Sequence, residues 1–316
     1  MGGKVKRGRR TLILTVVIIV ALLLGAAGAL QVAIARNGPA VLDTVDRIAG
    51  EADEIERLPL VRYGEHPAQK LTIHRFRYFE ADETRPVLVF FHGGSWRSGD
   101  PEDYNFVGRN FASRGMIVVN AGYRLGEDGR WPAMMEDSAA AVAWVRENIA
   151  DYGGDPDRVY LMGHSAGAYN VAMLALDRQW LEREGLGDDA VKGVIGLSGP
   201  YDFYPFARDS TRDAFGDAPQ PEATQPISHV RGDAPPLLLI HGEQDTLVKP
   251  RNTRALASAL EQAGGTVTAR FYPGMDHNAP LLALATPWLS RRDVADTVTD
   301  FVLGGKASVP VQPQTR

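Results

Sequence analysis

Short apolar runs alternating with helix-patterned segments constrain this chain more than any other feature. "PVLVFFHG", "GMIVVNAGY", "DRVYLMG", "VKGVIGLSG" and "PPLLLIHG" are brief and almost unbroken in their hydrophobicity. A strand with one wet face alternates apolar and polar residues, whereas an unbroken run suits a strand covered on both faces. "KLTIHRFRY" alternates, and "TVTARFYPG" reads as a further strand. Between the strands lie "PAMMEDSAAAVAWVRENIADYG", "SAGAYNVAMLALD", "PRNTRALASALEQAGG" and "WLSRRDVADTVTDFVLG", which carry helical patterns. The first has Pro132 at its start and Gly153-Gly154 beyond its end, as helix boundaries favour. This order predicts an α/β fold: a mostly parallel central sheet with helices on both faces. Ligands in such sheets sit beyond the carboxyl ends of the strands. No internal repeat and no second domain boundary interrupts the pattern.

The N-terminus follows other rules. "MGGKVKRGRR" carries five cations, and the 24 residues from Leu12 to Ala35 carry no charge. That length crosses a hydrocarbon layer of about 30 Å as a helix. The upstream cations place residue 1 in the cytoplasm and the body outside, in a bacterial-type inner membrane crossed once. The competing reading is a signal peptide cut near Ala35, because "AIA" at 33–35 has the small-x-small form of a cleavage site. The expected organisation is a basic stub and transmembrane anchor over 1–36, a linker over 37–64, one globular domain over 65–303 and a disordered tail over 304–316. Within the linker, "PAVLDTVDRIA" has apolar positions at helical spacing, which suits a segment lying across the domain surface.

Charge and composition exclude several function classes. The chain carries net −5, and everything after residue 35 carries net −10. An acidic body argues against nucleic acid, whose phosphates need clustered Lys and Arg. The chain has no cysteine, so disulfides, thiolate metal sites and a cysteine nucleophile are excluded. No HExxH and no GxGxxG after a strand occurs, so neither a metal nor a dinucleotide cofactor is implied. "RGD" at 231–233 precedes a strand and reads as a loop.

The chemistry concentrates at "VYLMGHSAGA", which sets Gly163-His164-Ser165-Ala166-Gly167 between a strand and a helix. G-x-S-x-G in that context is a nucleophile elbow. The serine sits on a sharp turn, and glycines flank it because side chains there would collide with neighbouring backbone. Serine is a weak nucleophile without a base. The architecture supplies its partners in the order Ser, Asp or Glu, His. His277, in "FYPGMDHNAP", is the only histidine after "LLLIHGEQDTLV", which offers Asp245. Asp245 would fix the tautomer of His277 and stabilise its imidazolium. Its rivals are Glu243, nearer the strand end, and Asp276, which would have to fold back onto its neighbour.

Taken together, "HGGSW", "NAGYRL", "GHSAGA", "GLSGPYD", "HGEQDTLV" and "GMDH" resemble the α/β-hydrolase superfamily, and within it the carboxylesterases related to hormone-sensitive lipase and kynurenine formamidase. The resemblance spans roughly residues 65–303. It implies that the HGG segment walls an oxyanion hole, with N–H donors from Gly94, Ser95 and Ala166. It makes His92 a structural residue. Ser95 stands where lipase-like members have a third glycine, and the following Trp96 fits the formamidase-like form better. Trp96 either lines the substrate mouth or packs beneath the loop. The segment 200–234 carries Tyr201, Phe203, Tyr204, Phe206 and Phe215, and Tyr201 is the substrate contact expected from it. The resemblance implies a cofactor-free serine hydrolase for small esters with short acyl or acetyl groups. Hydrolysis of an N-formyl arylamide is the alternative, and a peptidase a more distant one. A catalytically inactive binding protein on the same fold is the reading from another class.

Overall fold

The computed structural model describes residues 2–50, 54–78, 84–286 and 292–304. Along the chain run α1 (Gly2–Ala49), β1 (Ile55–Arg57), β2 (Val61–Arg62), β3 (Lys70–Phe76), β4 (Arg85–Phe91), α2 (Asn105–Ala112), β5 (Ile117–Ala121), α3 (Ala133–Asn148) and β6 (Gly154–His164). There follow α4 (Ala166–Leu176), α5 (Gln179–Arg183), β7 (Gly193–Leu197), α6 (Asp209–Phe215), β8 (Leu237–Gly242), α7 (Arg251–Gln262), β9 (Val267–Tyr272), α8 (Ala279–Leu282) and α9 (Arg292–Leu303). The start expected for the last helix, at Trp288, and the tail beyond Gly304 lie outside the described residues.

One sheet runs in the order β1-β3-β5-β4-β6-β7-β8-β9, with β2 also paired to β3. From β5 through β9 all neighbours are parallel, while β3 runs antiparallel to β5. The unbroken apolar runs have the expected cause, because each strand feeds two cores. On β4, Val87, Val89 and Phe91 enter one core and Leu88 and Phe90 the other. Leu237 and Leu239 of β8 separate in the same way from Leu238 and Ile240. The first core is closed by α3, α4 and α7 through residues such as Val142, Val171 and Leu256. The second is closed by α2, α9 and the end of α1 through Phe106, Val298 and Leu42.

The strand order reverses at β4, which has β5 on one side and β6 on the other. Crevices open at such switch points, beyond the carboxyl ends of the strands. Here those ends deliver His92 and Ser165, so the topology sets the two glycine-rich motifs side by side.

The N-terminal helix is long and bent. Asn37 has non-helical φ and ψ of −153° and 81°, and Pro39 follows. Proline has no N–H to give the preceding turn, so a bend there has a local cause. The Asn37 side chain accepts the Ala40 N–H at 3.1 Å and caps the second half of the helix. Before the bend, Ile18–Ala35 are exposed, and this is a helix long and apolar enough to cross a membrane. After the bend, α1 docks on α2. Arg109 donates to Asp43 at 2.6 Å and to Asp46 at 2.7 Å, and Asp46 also accepts the Thr286 N–H at 2.6 Å.

Candidate active site

Ser165 alone separates β6 from α4, with φ 54° and ψ −115°. A non-glycine residue with positive φ costs on the order of 1–3 kcal/mol and persists only where its surroundings impose it. The surroundings here are visible. The Ser165 N–H donates to the Leu197 carbonyl at 2.9 Å, and the Ser165 carbonyl accepts from Tyr169 at 3.2 Å. A Cβ at Gly163 would fall on the backbone of Gly167, and one at Gly167 on the Phe91 carbonyl. The two glycines let helix, strand and turn close around the serine.

His277 arrives on the turn between β9 and α8. Its Nε2 lies 2.9 Å from Ser165 Oγ, and its Nδ1 lies 2.7 Å from Asp245 Oδ2. All three residues are buried. Asp245 sits on the turn after β8, and its other oxygen accepts the N–H groups of Leu247 and Val248 at 2.8 and 2.9 Å. Burial works against the charge of Asp245. Hydrogen bonds from His241 and His277 more than offset it and hold the carboxyl well below the usual range. The rivals are engaged elsewhere: Glu243 pairs with Arg254 at 2.9 Å, and Asp276 accepts the N–H groups of Asn278 and Ala279.

Two further histidines support the line, one with no motif to announce it and one at the variable position of the elbow itself. His241, at the end of β8, shares its Nε2–H between Asp245 Oδ2 at 3.1 Å and the Val248 carbonyl at 2.8 Å. Thr253 fixes that tautomer through the other ring nitrogen at 2.7 Å. His164 donates from Nε2 to the His277 carbonyl at 3.1 Å. Burial, reinforced by the nearby His277, pushes the His164 imidazole down to about 3, so it stays neutral.

The "HGGSW" loop packs directly on the elbow. A Cβ on Gly93 would come within 3.0 Å of the His164 carbonyl and 3.2 Å of Ser165 Cβ. Gly94, Ser95 and Trp96 have positive φ of 118°, 56° and 59°. Among the described residues, the N–H groups of Gly94 and Ser95 have no protein acceptor, and both residues line the cavity that Ser165 also lines. His92 is buried between Tyr123 and Tyr104, ring centroids 4.7 and 5.6 Å away, and donates from Nδ1 to the Gly93 carbonyl at 2.7 Å. Burial lowers its pKa to about 4.

The aromatic residues divide differently from expectation. Trp96 is 4% exposed, bonded to Asn170 at 3.2 Å and packed on Tyr169, Phe203 and Phe215. It is therefore packing whose edge also reaches the cavity wall. The substrate contact expected of Tyr201 is not there: its ring is fully buried against Gly196 and Gly199 and lines no cavity at Ser165. The glycines at 196 and 199 leave space that the tyrosine fills, so the ring turns inward. Phe203 and Tyr204 stand at the cavity in its place.

Two cavities meet at Ser165. One of about 520 Å³ holds Ser95, Trp96, Ala166 and Phe203 and continues to the start of α7. The other, of about 350 Å³, holds Gly94, His164 and His277 and is walled on its far side by Arg36, Asn37, Gly38 and Pro39 at the bend of α1. That wall could not be foreseen from the sequence, where Arg36 closes the anchor segment and 37–39 open the linker.

A switched parallel sheet with a serine elbow and a histidine–aspartate pair behind it defines the α/β-hydrolase fold. Solved structures agree with that fold. The butyrate-bound esterase Est2 of Thermogutta terrifontis superposes with a TM-score of 0.67 at 23% identity, covering 84% of this chain and 99% of that one. A truncated carbohydrate esterase from gut microbiota gives 0.65 at 22% identity, covering 81% and 98%. The BD-FAE family model matches residues 78–260, and the chain belongs to that family. Among curated relatives, the esterase LipQ of Mycobacterium tuberculosis is 36% identical over 235 residues, 69% of this chain and 55% of its own length. A probable isoprenylcysteine alpha-carbonyl methylesterase of rice, Oryza sativa subsp. japonica, is 32% identical over 258 residues, 74% of this chain and 59% of its own. The chain thus spans little more than half the length of these relatives.

Proposed function

We propose that this chain is a serine esterase that hydrolyses carboxylic esters through an acyl-enzyme on Ser165. One observation carries the reading: an unbroken hydrogen-bonded line from Asp245 through His277 to Ser165, at 2.7 and 2.9 Å, facing an open cavity. His277 Nε2 takes the Ser165 proton as Oγ attacks the ester carbonyl. The oxyanion receives the N–H groups of Gly94, Ser95 and Ala166, donors of a kind worth about 3 kcal/mol each in the transition state. His277 then passes its proton to the departing alkoxide. A water loses a proton to His277 as it attacks the acyl carbon; the acyl–Oγ bond then breaks, His277 returns the proton to Ser165 Oγ, and the acid leaves. No cofactor takes part.

The two cavities acquire roles from this chemistry. A leaving group protonated by His277 must lie on the side that His277 lines, which is the 350 Å³ cavity bounded by α1. The acyl group then occupies the 520 Å³ cavity. That volume favours acyl groups longer than acetyl and would leave a formyl group almost unpacked, which argues against an arylformamidase. The butyrate held by the Thermogutta esterase agrees with an acyl of intermediate size. The intact hydrogen-bonded line argues against an inactive binding protein.

The anchor reading also belongs to this proposal, with the domain on the outer side of an inner membrane. The helix runs through Ala35 without a break, and its docked end is tied to Arg109. The test uses the full chain in detergent with para-nitrophenyl esters of increasing acyl length, beside the Ser165→Ala variant and an organophosphate label. The expected outcome is one label on Ser165 and hydrolysis lost in the variant. A label elsewhere, or equal turnover by the variant, would sink the assignment.

A further inference from the structure

The acyl-side cavity differs in charge from the molecule around it. The chain beyond residue 35 carries net −10. Yet Arg208, Lys249 and Arg251 line this cavity, and no Asp or Glu does. All three cations are exposed, and among the described residues their side chains make no ion pair or hydrogen bond. Of the acids nearby, Asp209 pairs with Arg212, Asp213 with Arg97, and Asp245 with His277 and His241. Asp202, whose N–H donates to Asn252 at 2.9 Å, is the one close acid whose carboxylate has no such partner among the described residues, and it does not line the cavity. Elsewhere arginines such as Arg109, Arg124 and Arg178 are held by carboxylates.

The three cations come from two separate segments. Arg208 immediately precedes α6, whereas Lys249 and Arg251 flank Pro250 where α7 begins. The same cavity is lined by Trp96, Phe203 and Tyr204 and by the hydroxyls of Ser210, Thr211 and Thr246, and the buried Ser165 opens into it. A pocket that joins aromatic side chains to three exposed cations without a carboxylate partner fits a ligand with a partly apolar stem and an anionic end. Cations of one sign at a cleft mouth also raise the local concentration of anions and speed their capture.

We propose that the acyl cavity selects acyl groups carrying an anion, such as a carboxylate, at the end far from the scissile ester, with Arg208, Lys249 and Arg251 as its specificity-determining residues. The preferred substrate is then a half-ester of a dicarboxylic acid. Hydrolysis adds one water across the ester bond and releases the diacid and the alcohol. This inference rests on the esterase reading and on the acyl group lying away from His277.

The test compares para-nitrophenyl hydrogen adipate with its methyl-capped, uncharged counterpart on the full chain. The kcat/KM ratio of charged to neutral ester is expected at about 10 to 30 at low salt, carried mainly by KM. Each partly screened cation contributes about two- to threefold to that ratio. It should approach one at about 0.5 M salt, where the screening length is only a few ångströms. Joint Arg208→Gln, Lys249→Gln and Arg251→Gln substitution should bring the ratio to about one. Damage to the fold would lower both rates and leave the ratio standing. Calorimetry with the Ser165→Ala variant and the same two esters reads the preference without turnover. A ratio near one in the native chain at low salt, or one unchanged in the triple variant, overturns the proposal. A native chain that cleaves neither ester while Ser165→Ala still prefers the charged one overturns the esterase reading and leaves the charge selection intact.

Discussion

Replacing Asp245 by asparagine separates the geometry of the site from its proton chemistry. The carboxylate accepts four hydrogen bonds: Oδ1 takes the Leu247 and Val248 N–H groups, and Oδ2 takes His241 and His277. The backbone donors cannot reverse, so the carbonyl oxygen of the introduced amide must face them. Its NH₂ is then aimed at His277 Nδ1. Two donors cannot face each other, so His277 shifts its proton to Nε2, the atom that must accept from Ser165. The site keeps its shape while His277 can no longer accept the Ser165 proton. The expected loss in kcat is about 10⁴-fold, equivalent to about 5.5 kcal/mol in the barrier. Asp245→Ala imposes no wrong tautomer and admits water, so it should be no less active than Asp245→Asn. The assay is steady-state hydrolysis of a para-nitrophenyl ester by both variants, with circular dichroism melts to verify folding. An asparagine variant within tenfold of native kcat would refute the orientation imposed by Leu247 and Val248.

Further outcomes follow from other contacts. Three histidines, His74, His92 and His164, are held by burial at about 3, 4 and 3, so they stay neutral in the fold. Unfolding lets them protonate near pH 6.5, so between about pH 6.5 and 4 the unfolded chain binds more protons and stability falls as pH drops, by about 1.4 kcal/mol per group per unit. Urea midpoints should decline steeply over that range, and a flat profile would contradict the burial argument. Gly167→Ala drives a methyl into the Phe91 carbonyl and should abolish both activity and soluble expression, whereas tolerance of it would mean that the elbow can open without loss. Trp96→Ala removes a buried ring and should cost about 3–5 kcal/mol of stability, measured by denaturant unfolding. Arg109→Ala leaves the buried Asp46 without its cation and should free residues 38–49 to exchange amide hydrogens quickly, without slowing folding of the sheet.

The legible parts of this molecule are those written in contiguous residues. The strand runs of β4 and β8 announce double-sided burial, because consecutive side chains must serve opposite faces. The serine elbow is local as well, since Gly163 and Gly167 act within one turn of Ser165. His277 is reachable by elimination, being the only histidine late enough in the chain. What escapes depends on contacts between distant segments. Nothing around His241 marks it as a second donor to Asp245, because that role needs the turn after β8 to fold back on its own strand. Tyr201 stands in an aromatic-rich segment that invites a binding role, but Gly196 and Gly199 leave a recess that swallows the ring. The cationic rim joins Arg208 to Lys249 and Arg251 across some forty residues of sequence, so no local window contains it.

The bend of α1 does more than turn the chain. Arg36 to Pro39 wall the cavity assigned to the leaving alcohol, and Arg36 directly follows the apolar stretch. With that stretch in a bilayer, the alcohol chamber lies within about one helical turn, roughly 5 Å, of the hydrocarbon edge. That is the depth of lipid headgroups, so the alcohol would be discharged into an ordered, partly dehydrated layer instead of bulk water. Severing the chain after Ala35 would replace a peptide link in this wall by a free amine titrating near pH 8, which adds a cation beside the departing oxygen.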